Sequence, residues 1–243
     1  MRLRTRIKLI LQNLLGFENY QFYASRFIIN RLRSIEVEAD FVRFLDLIPA
    51  GGLILDVGAN FGVMTVSLAK KAGTGKVYSF EPIPENSRVI KRLLKHYKLN
   101  NVTLYECAVG DKSGELKMVV PVIDHDKIPG LSHVVDDNNN DEGEFFTVPV
   151  KRLDDIPELK QADNIGAIKM DVENFEFEAL TGAKELLLKH KPIIFCEIWN
   201  TEKSKATFNF LKNEIGYTIN VLVDGKLVPY TNQDALNYFM IAP

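Results

Sequence analysis

The sequence predicts an α/β fold, a mostly parallel sheet with helices on both faces. Three observations carry this. Five short apolar runs alternate with helical patterns from residue 53 onward, the glycine-bearing turn DVGANFG ends the first run, and two further strand-like runs around DGK end the chain. Parallel strands buried on both faces read as continuous apolar runs, and each return between them needs a long connection, usually a helix.

Taken in order, residues 2–15 place Leu3, Ile7, Ile10, Leu11, Leu14 and Leu15 at helical spacing, with Arg2, Arg6, Gln12 and Asn13 elsewhere around the wheel. Such a helix packs on its own domain, packs on a second subunit in a homodimer, or lies peripherally on an anionic membrane surface. Residues 22–47 continue in helical style, with a helix over 36–46 stopped by Pro49 and Gly51. Strands are expected at 53–58, 76–82, 102–109, 167–172 and 192–198, and helices at 63–71, 85–98, 175–190 and 202–214. On the helix over 85–98, Arg88, Lys91, Arg92, Lys95 and Lys98 lie outside the apolar stripe and read as a solvated face. An insertion at 117–150 holds the runs ELKMVVP and FFTVPVK around a polar loop, and is expected to cover the substrate side. Runs at 217–223 and 235–243 read as an antiparallel pair closing the sheet. The organisation expected is a helical extension, 1–36, followed by one catalytic-sized domain, 37–243.

Composition sets limits. The 243 residues are 46% hydrophobic and 26% charged with a net charge of -2, so no global basic excess argues for nucleic acid. Residues 1–34 carry seven basic side chains against Glu18, a local +6 that leaves -8 for the remainder. Cys107 and Cys196 sit in apolar runs as small buried thiols, with neither a disulfide framework nor metal spacing. No apolar run approaches the ~18 residues of a membrane span. LILQNLLGF lacks a small-residue cleavage site, so it is not read as a signal peptide. The expected location is cytoplasmic, with peripheral contact at the inner membrane surface if the first helix binds lipid.

In open parallel sheets, ligands bind outside the carboxyl ends of the strands where strand order reverses. Acidic residues stand at most of those ends, among them Asp56, Glu81, Asp171, Glu173 and Glu197. So many carboxylates would repel a pyrophosphate and suit a cationic or zwitterionic ligand bearing hydroxyls. Glu81 follows Asp56 by 25 positions, where a carboxylate can accept from a ribose diol. The turn reads D-x-G-x-N-x-G through Asp56, Gly58, Asn60 and Gly62, whereas a dinucleotide fingerprint needs its third glycine one position later. That spacing disfavours a nicotinamide-dependent oxidoreductase.

Several motifs in order resemble the FkbM-type S-adenosylmethionine-dependent methyltransferases. They are DVGANFG (56–62), YSFEPIPEN (78–86), YECAVGDKSGEL (105–116), VPVKRLDDI (148–156), IKMDVENFEFEALTGAKELL (168–187) and KPIIFCEIW (191–199). The resemblance runs from about Val37 to the C-terminus. It implies a Rossmann-like class I methyltransferase fold with seven strands, S-adenosyl-L-methionine as cofactor, and O-methylation of a sugar, glycolipid or other small-molecule acceptor. It would place Asp56, Gly58, Asn60 and Gly62 on the methionine moiety and Glu81 on the ribose. Pro82 and Asn86 belong to the same set, Ala108 and Val109 would flank the adenine beside Asp111 or Asn86, and Asp171 and Glu173 would face the sulfonium. One departure is Asn174, where the family has glycine; asparagine tolerates positive φ, so the turn can survive.

Methyl transfer to oxygen needs a base. The candidates are His133, Glu173 and Asp171, with His125 behind them. Glu173 and Glu176 can instead cap the helix that follows. Asp171, Glu197 and Asp154 have no ligand spacing that specifies a metal, and none is expected. Trp199 is either core edge or an aromatic wall for a sugar. A methyltransferase-like binding or scaffold module that has lost turnover is the alternative from another class, given Asn174 and the unsettled base.

Overall fold

The computed structural model describes residues 3–34, 38–123, 126–135 and 142–243. His125 and most of the acidic loop after residue 135 lie outside them. Two helices open the chain, α1 (Leu3–Leu15) and α2 (Phe17–Arg31), followed by α3 (Ala39–Leu47). The sheet begins with β1 (Leu53–Val57), α4 (Val63–Ala72), β2 (Val77–Phe80), α5 (Pro84–Tyr97) and β3 (Val102–Tyr105). A second unit is formed by β4 (Ala108–Val109), β5 (Gly114–Ile123), β6 (Asp126–Lys127), β7 (His133–Val134) and β8 (Gly143–Lys151). The chain returns through α6 (Pro157–Lys160), β9 (Ile165–Met170), α7 (Glu176–Thr181), α8 (Lys184–His190), β10 (Ile193–Glu197) and α9 (Glu202–Asn209). A π-helical turn, Phe210–Ile215, precedes β11 (Thr218–Val223), β12 (Lys226–Pro229) and β13 (Asn237–Ile241).

The main sheet runs β12-β11-β13-β10-β9-β1-β2-β3. Strands β3, β2, β1, β9 and β10 are parallel, and β13 enters antiparallel between β10 and β11. The seven expected strands are there, and β12 adds a short eighth at the edge as the second arm of the DGK hairpin. Strand order reverses between β1 and β9, which fixes the switch point at the Gly58 and Asp171 turns. Alternation along β1 sends Ile54 to one face with Phe41, Phe44 and Leu68, and Leu55 and Val57 to the other with Leu180, Leu187 and Leu211.

Three departures have physical reasons. The apolar run 102–109 is two strands: β3 pairs with β2, but β4 leaves the main sheet to pair with β8. A continuous apolar run does not record a change of partner. The helix expected over 175–190 breaks at Gly182, where a Cβ would stand 1.9 Å from the Gly110 carbonyl oxygen. The basic face of α5 is partly pinned, with Arg88 donating to Glu18 at 2.5 Å, Lys91 to Glu106 at 2.7 Å, and Arg92 over the Phe22 ring. Within the extension, α2 shares a core with the following domain, since Phe22 and Ile29 pack with Val66, Val89 and Leu93. Helix α1 is tied by Lys8 to Asp126 of β6 at 2.6 Å, and leaves Ile7, Ile10, Leu11, Leu14 and Leu15 exposed, Leu14 by 76%.

Candidate functional site

An open cleft of about 610 Å³ lies at the carboxyl ends of β1, β2 and β9 and is closed from the side by the insertion. Strand β1 delivers the glycine turn. Gly58 sits at φ 77°, and a Cβ there would meet the Asp171 carbonyl oxygen at 1.8 Å, so only glycine lets the β1 and β9 turns touch. Gly62, at φ 80°, starts α4 rather than lining the cleft, and packs on Ile90. Asn60 takes φ 50° between them and lines the cleft.

Asp56 is the first correction. Its side chain is 0% exposed and lies beneath the turn, not on the cleft. Its Oδ2 accepts from the Thr65 hydroxyl at 2.6 Å and its Oδ1 faces the Lys169 ammonium at 3.8 Å. Lys169, a lone cation in the buried run of β9, donates to the Gly58 carbonyl at 2.7 Å and stands 3.5 Å from Asp171. Burial works to lower the Lys169 pKa, and the attraction of Asp171 and Asp56 outweighs it. Lys169 therefore clamps both turns as a cation.

From β2, Glu81 and Pro82 enter the same cleft. The Glu81 carboxylate accepts from the Asn60 amide at 2.7 Å, the Ile83 amide at 2.8 Å and the Asn86 side chain at 3.1 Å. Burial raises its pKa to about 7 against those three bonds. A carboxylate offers roughly four acceptor sites, so about one remains for a ligand hydroxyl. Asn86 Oδ1, buried and without a hydrogen-bond partner among the described residues, offers a second. This pair, not Glu81 alone, meets the needs of a diol.

Ile83, Ala108, Val109 and Met118 give the cleft apolar walls suited to a heterocyclic base, while Asp111 does not line it. The insertion contributes Met118, Pro129, Gly130, Ser132 and Val134 to this cleft. Ser132 and Val134 face inward, so the intervening His133 on β7 points away; its Nδ1 is bonded to the Leu131 carbonyl at 2.9 Å. The structure therefore does not bring His133 to the site as a base.

After β9 the chain passes through two left-handed residues, Glu173 at φ 51° and Asn174 at φ 66°. The Glu176 carboxylate accepts from the Val172 and Asn174 amides at 3.4 and 3.1 Å and closes this turn, leaving Glu173 uncommitted to capping. A non-glycine residue held left-handed costs about 1–2 kcal/mol, which Glu173 bears at the mouth of the cleft. Oxygens of Asp171, Glu173 and Glu197 lie within 4.8 Å of one another. Burial, then the charges of Asp171, Glu197 and Glu176, push Glu173 up to about 8, and burial with Asp171 pushes Glu197 to about 7. The trio has the spacing of a divalent-cation site, but its two glutamates hold protons near neutrality, which a metal would have to displace. Asp154 is not among them, since it accepts from the Glu185 and Leu186 amides at the start of α8. Trp199 is 42% exposed beyond β10 and lines no part of the cleft.

A sulfonium nucleoside fits what is present: a cradle that a Cβ at Gly58 would fill, an unpartnered acceptor on Asn86 beside Glu81, and carboxylates where positive charge would lie. Sheet order and cleft together define the class I S-adenosylmethionine-dependent methyltransferases. Residues 56–220 match the Methyltransferase FkbM domain, and the chain belongs to that family. It is thus an enzyme that uses S-adenosyl-L-methionine, which excludes the nicotinamide reading.

Methyltransferase sdnD of Sordaria araneosa is 24% identical, the match covering 85% of this chain and 89% of that protein. The 2-O-methyltransferase NoeI of Sinorhizobium fredii is 26% identical over 64% of this chain and 66% of its own length. The crystal structure of a methyltransferase FkbM from Methylobacillus flagellatus superposes with a TM-score of 0.52 at 19% identity, covering 78% of this chain and 43% of that one. The chain thus spans less than half of that structure. Among the described residues no helix is long and apolar enough to cross a membrane.

Sequence reasoning named Asn86 but missed the part of Lys169 and the assembly of Glu197 with Glu173. A lysine inside an apolar strand was the available signal for the first. Only the three-dimensional path of the turns reveals the second.

Proposed function

We propose that this enzyme methylates a hydroxyl of a sugar, glycolipid or other small polar acceptor, with Glu173 as the base. The observation that carries this reading is the carboxylate trio beside the Gly58 and Asp171 turns, one member of which is held strained and proton-hungry. When bound, S-adenosylmethionine supplies a methyl carbon made electrophilic by positive sulfur. The acceptor oxygen must lie in line with that carbon and lose its proton as the oxygen–carbon bond forms. Glu173 takes that proton, while Asp171 and Glu197 hold the acceptor's remaining hydroxyls. The relative NoeI is a 2-O-methyltransferase, which supports an oxygen acceptor. Calorimetric titration with S-adenosylhomocysteine, then methyl incorporation across nucleotide sugars, oligosaccharides and small polyols, tests the reading. Turnover confined to nitrogen or carbon acceptors would overturn it.

The pH dependence follows from the raised Glu173 pKa. A raised carboxyl pKa keeps the proton on to higher pH, so the basic form is lost as pH falls below about 8. Rate is expected to rise with pH and level off above that value. Glu173→Gln is expected to lower kcat by about 10²- to 10⁴-fold and to flatten the profile. An unchanged profile would remove Glu173 as base.

For partners, we infer that α1 lays its exposed Ile10, Leu11 and Leu14 on an anionic membrane from the cytoplasmic side, aided by the basic N-terminal segment. Vesicles containing anionic lipid should float the full chain and not the chain lacking residues 1–15. Equal flotation would sink this inference, as would conversion of a dimer to a monomer by the same deletion. Deleting 1–34 would be uninformative, since α2 belongs to the core.

A further inference from the structure

Strands β9 and β10 deliver the acidic residues at the mouth of the cleft, and they diverge where that mouth begins. Their parallel pairing ends at Met170 and Cys196. Beyond that point the Asp171 amide donates to Val57 of β1, while the Ile198 amide donates to Leu236 on the opposite side. The two turns are anchored to different neighbours. The carboxylates of Asp171, Glu173 and Glu197 gathered between them repel one another wherever they are ionised, so the arrangement needs a tie from one turn to the other.

Asn174 supplies one. Its Oδ1 accepts from the Thr201 hydroxyl at 2.9 Å. Lys203 adds to the same bridge, donating to Glu178 at 2.8 Å and to the Asn174 carbonyl at 3.5 Å, with its ammonium over the Phe175 ring. Two features set the Asn174–Thr201 bond apart from a chance surface contact. Asn174 takes φ 66° directly after Glu173 at φ 51°, and asparagine both tolerates that conformation and offers an uncharged acceptor, which adds no further negative charge to the mouth. Thr201 stands at the N-cap of α9, where a hydroxyl ordinarily accepts from a helix amide, yet it makes no such cap. Its carbonyl is held by the Ser204 hydroxyl at 2.6 Å, and its own hydroxyl turns across to Asn174 instead.

We propose that the Asn174–Thr201 bond braces the β9 and β10 turns against each other, which makes Asn174 a positioning residue for Glu173 beside Glu197. This rests on reading Glu173 as the base. Each turn carries a carboxylate of the trio, so a fixed gap between the turns fixes where an acceptor hydroxyl meets Glu173. The groups that face Glu173 are Asp171, Glu197 and Glu176, which repel its charge, and Lys169, which attracts it. With the brace cut, Glu173 swings from the other carboxylates toward water, and both burial and repulsion weaken. Its carboxyl then gives up its proton at a lower pH than the value of about 8 it has when held.

Isotopic labelling of the glutamate carboxyl carbons in the full chain lets NMR follow the titration of Glu173 without an acceptor, its signal assigned by absence from Glu173→Gln. Asn174 is exposed and Thr201 half-buried, so substitutions at either leave the core intact. A neutral hydrogen bond contributes modestly, so cutting this one in Thr201→Val or Asn174→Gly is expected to lower the Glu173 midpoint by about half to one pH unit. Thr201→Ser keeps the hydroxyl and should keep the midpoint. Thr201→Val combined with Asn174→Gly should lower it no further than either change alone, because both remove the same bond. An unmoved midpoint in both single variants, a Thr201→Ser midpoint as low as that of Thr201→Val, or additive lowering in the double variant would overturn the brace. Failure of the base reading shows differently, as methyl transfer retained in Glu173→Gln whatever the titration does.

Discussion

Lys169→Met is expected to destabilise the folded chain by about 3–5 kcal/mol, because it removes one side of a buried ion pair and leaves the other charge without compensation. Lys169 is 3% exposed and Asp56 0%, so water cannot replace the ammonium at Asp56. Neutral hydroxyls, Thr65 at 2.6 Å and the neighbouring Ser79, would be left to face that carboxylate. The Gly58 carbonyl would lose its donor as well. Asp171 suffers less, since its side chain is 31% exposed. The size of the deficit depends on pH. Burial already raises the Asp56 pKa above its ordinary value, against the pull of Lys169 and Thr65. A carboxyl whose folded pKa is raised contributes stability at low pH that is lost as pH rises through that pKa. Without Lys169 the folded pKa rises further, so the deficit is smallest in acid and grows as pH rises. Urea unfolding across a pH series checks this, and a deficit independent of pH would show that Asp56 is not the group left exposed. Adding Asp56→Asn should recover part of the loss, because the unpaired charge disappears with it.

How much of this was legible beforehand divides along physical lines. Parallel strands buried on both faces announce themselves as apolar runs, so β1, β2, β9 and β10 were read within two residues or so of their ends. The glycine turn was legible because a Cβ is excluded at Gly58 by the Asp171 carbonyl, a constraint that leaves its mark in residue type. Side-chain direction was not legible. Whether His133 faces the cleft is decided by the pairing of β7 with β5, which no local pattern encodes. Asp56 heads the recognisable motif and yet lies beneath it, because alternation along β1 puts Val57 on the cleft and turns Asp56 toward Thr65 and Lys169.

Glu81→Ala is expected to have the largest effect on cofactor affinity of any single change in the adenosine cleft. The carboxylate joins two jobs that mutation cannot separate. It holds the Asn60 and Ile83 amides, which gives the glycine turn and the start of α5 their positions, and it keeps about one acceptor site for a ribose hydroxyl. Losing a hydrogen bond from ligand to a charged group costs about 1.5–3 kcal/mol, or roughly ten- to a hundredfold in Kd. Releasing two buried amides adds about 1–3 kcal/mol each to the loss of fold stability, toward the lower figure where water from the open cleft reaches them. Glu81→Gln should fare little better, since its NH₂ group would confront an amide N–H that now meets an acceptor. The raised Glu81 pKa adds a sign. At pH values below about 7 the free carboxyl carries a proton, so wild-type affinity should strengthen as pH rises through that point and the variants should not follow. Titration of S-adenosylhomocysteine at about pH 6 and about pH 8, beside thermal unfolding of each variant, measures both parts. An unchanged Kd in Glu81→Ala would remove Glu81 from the site, and with it the placement of the ribose between Glu81 and Asn86.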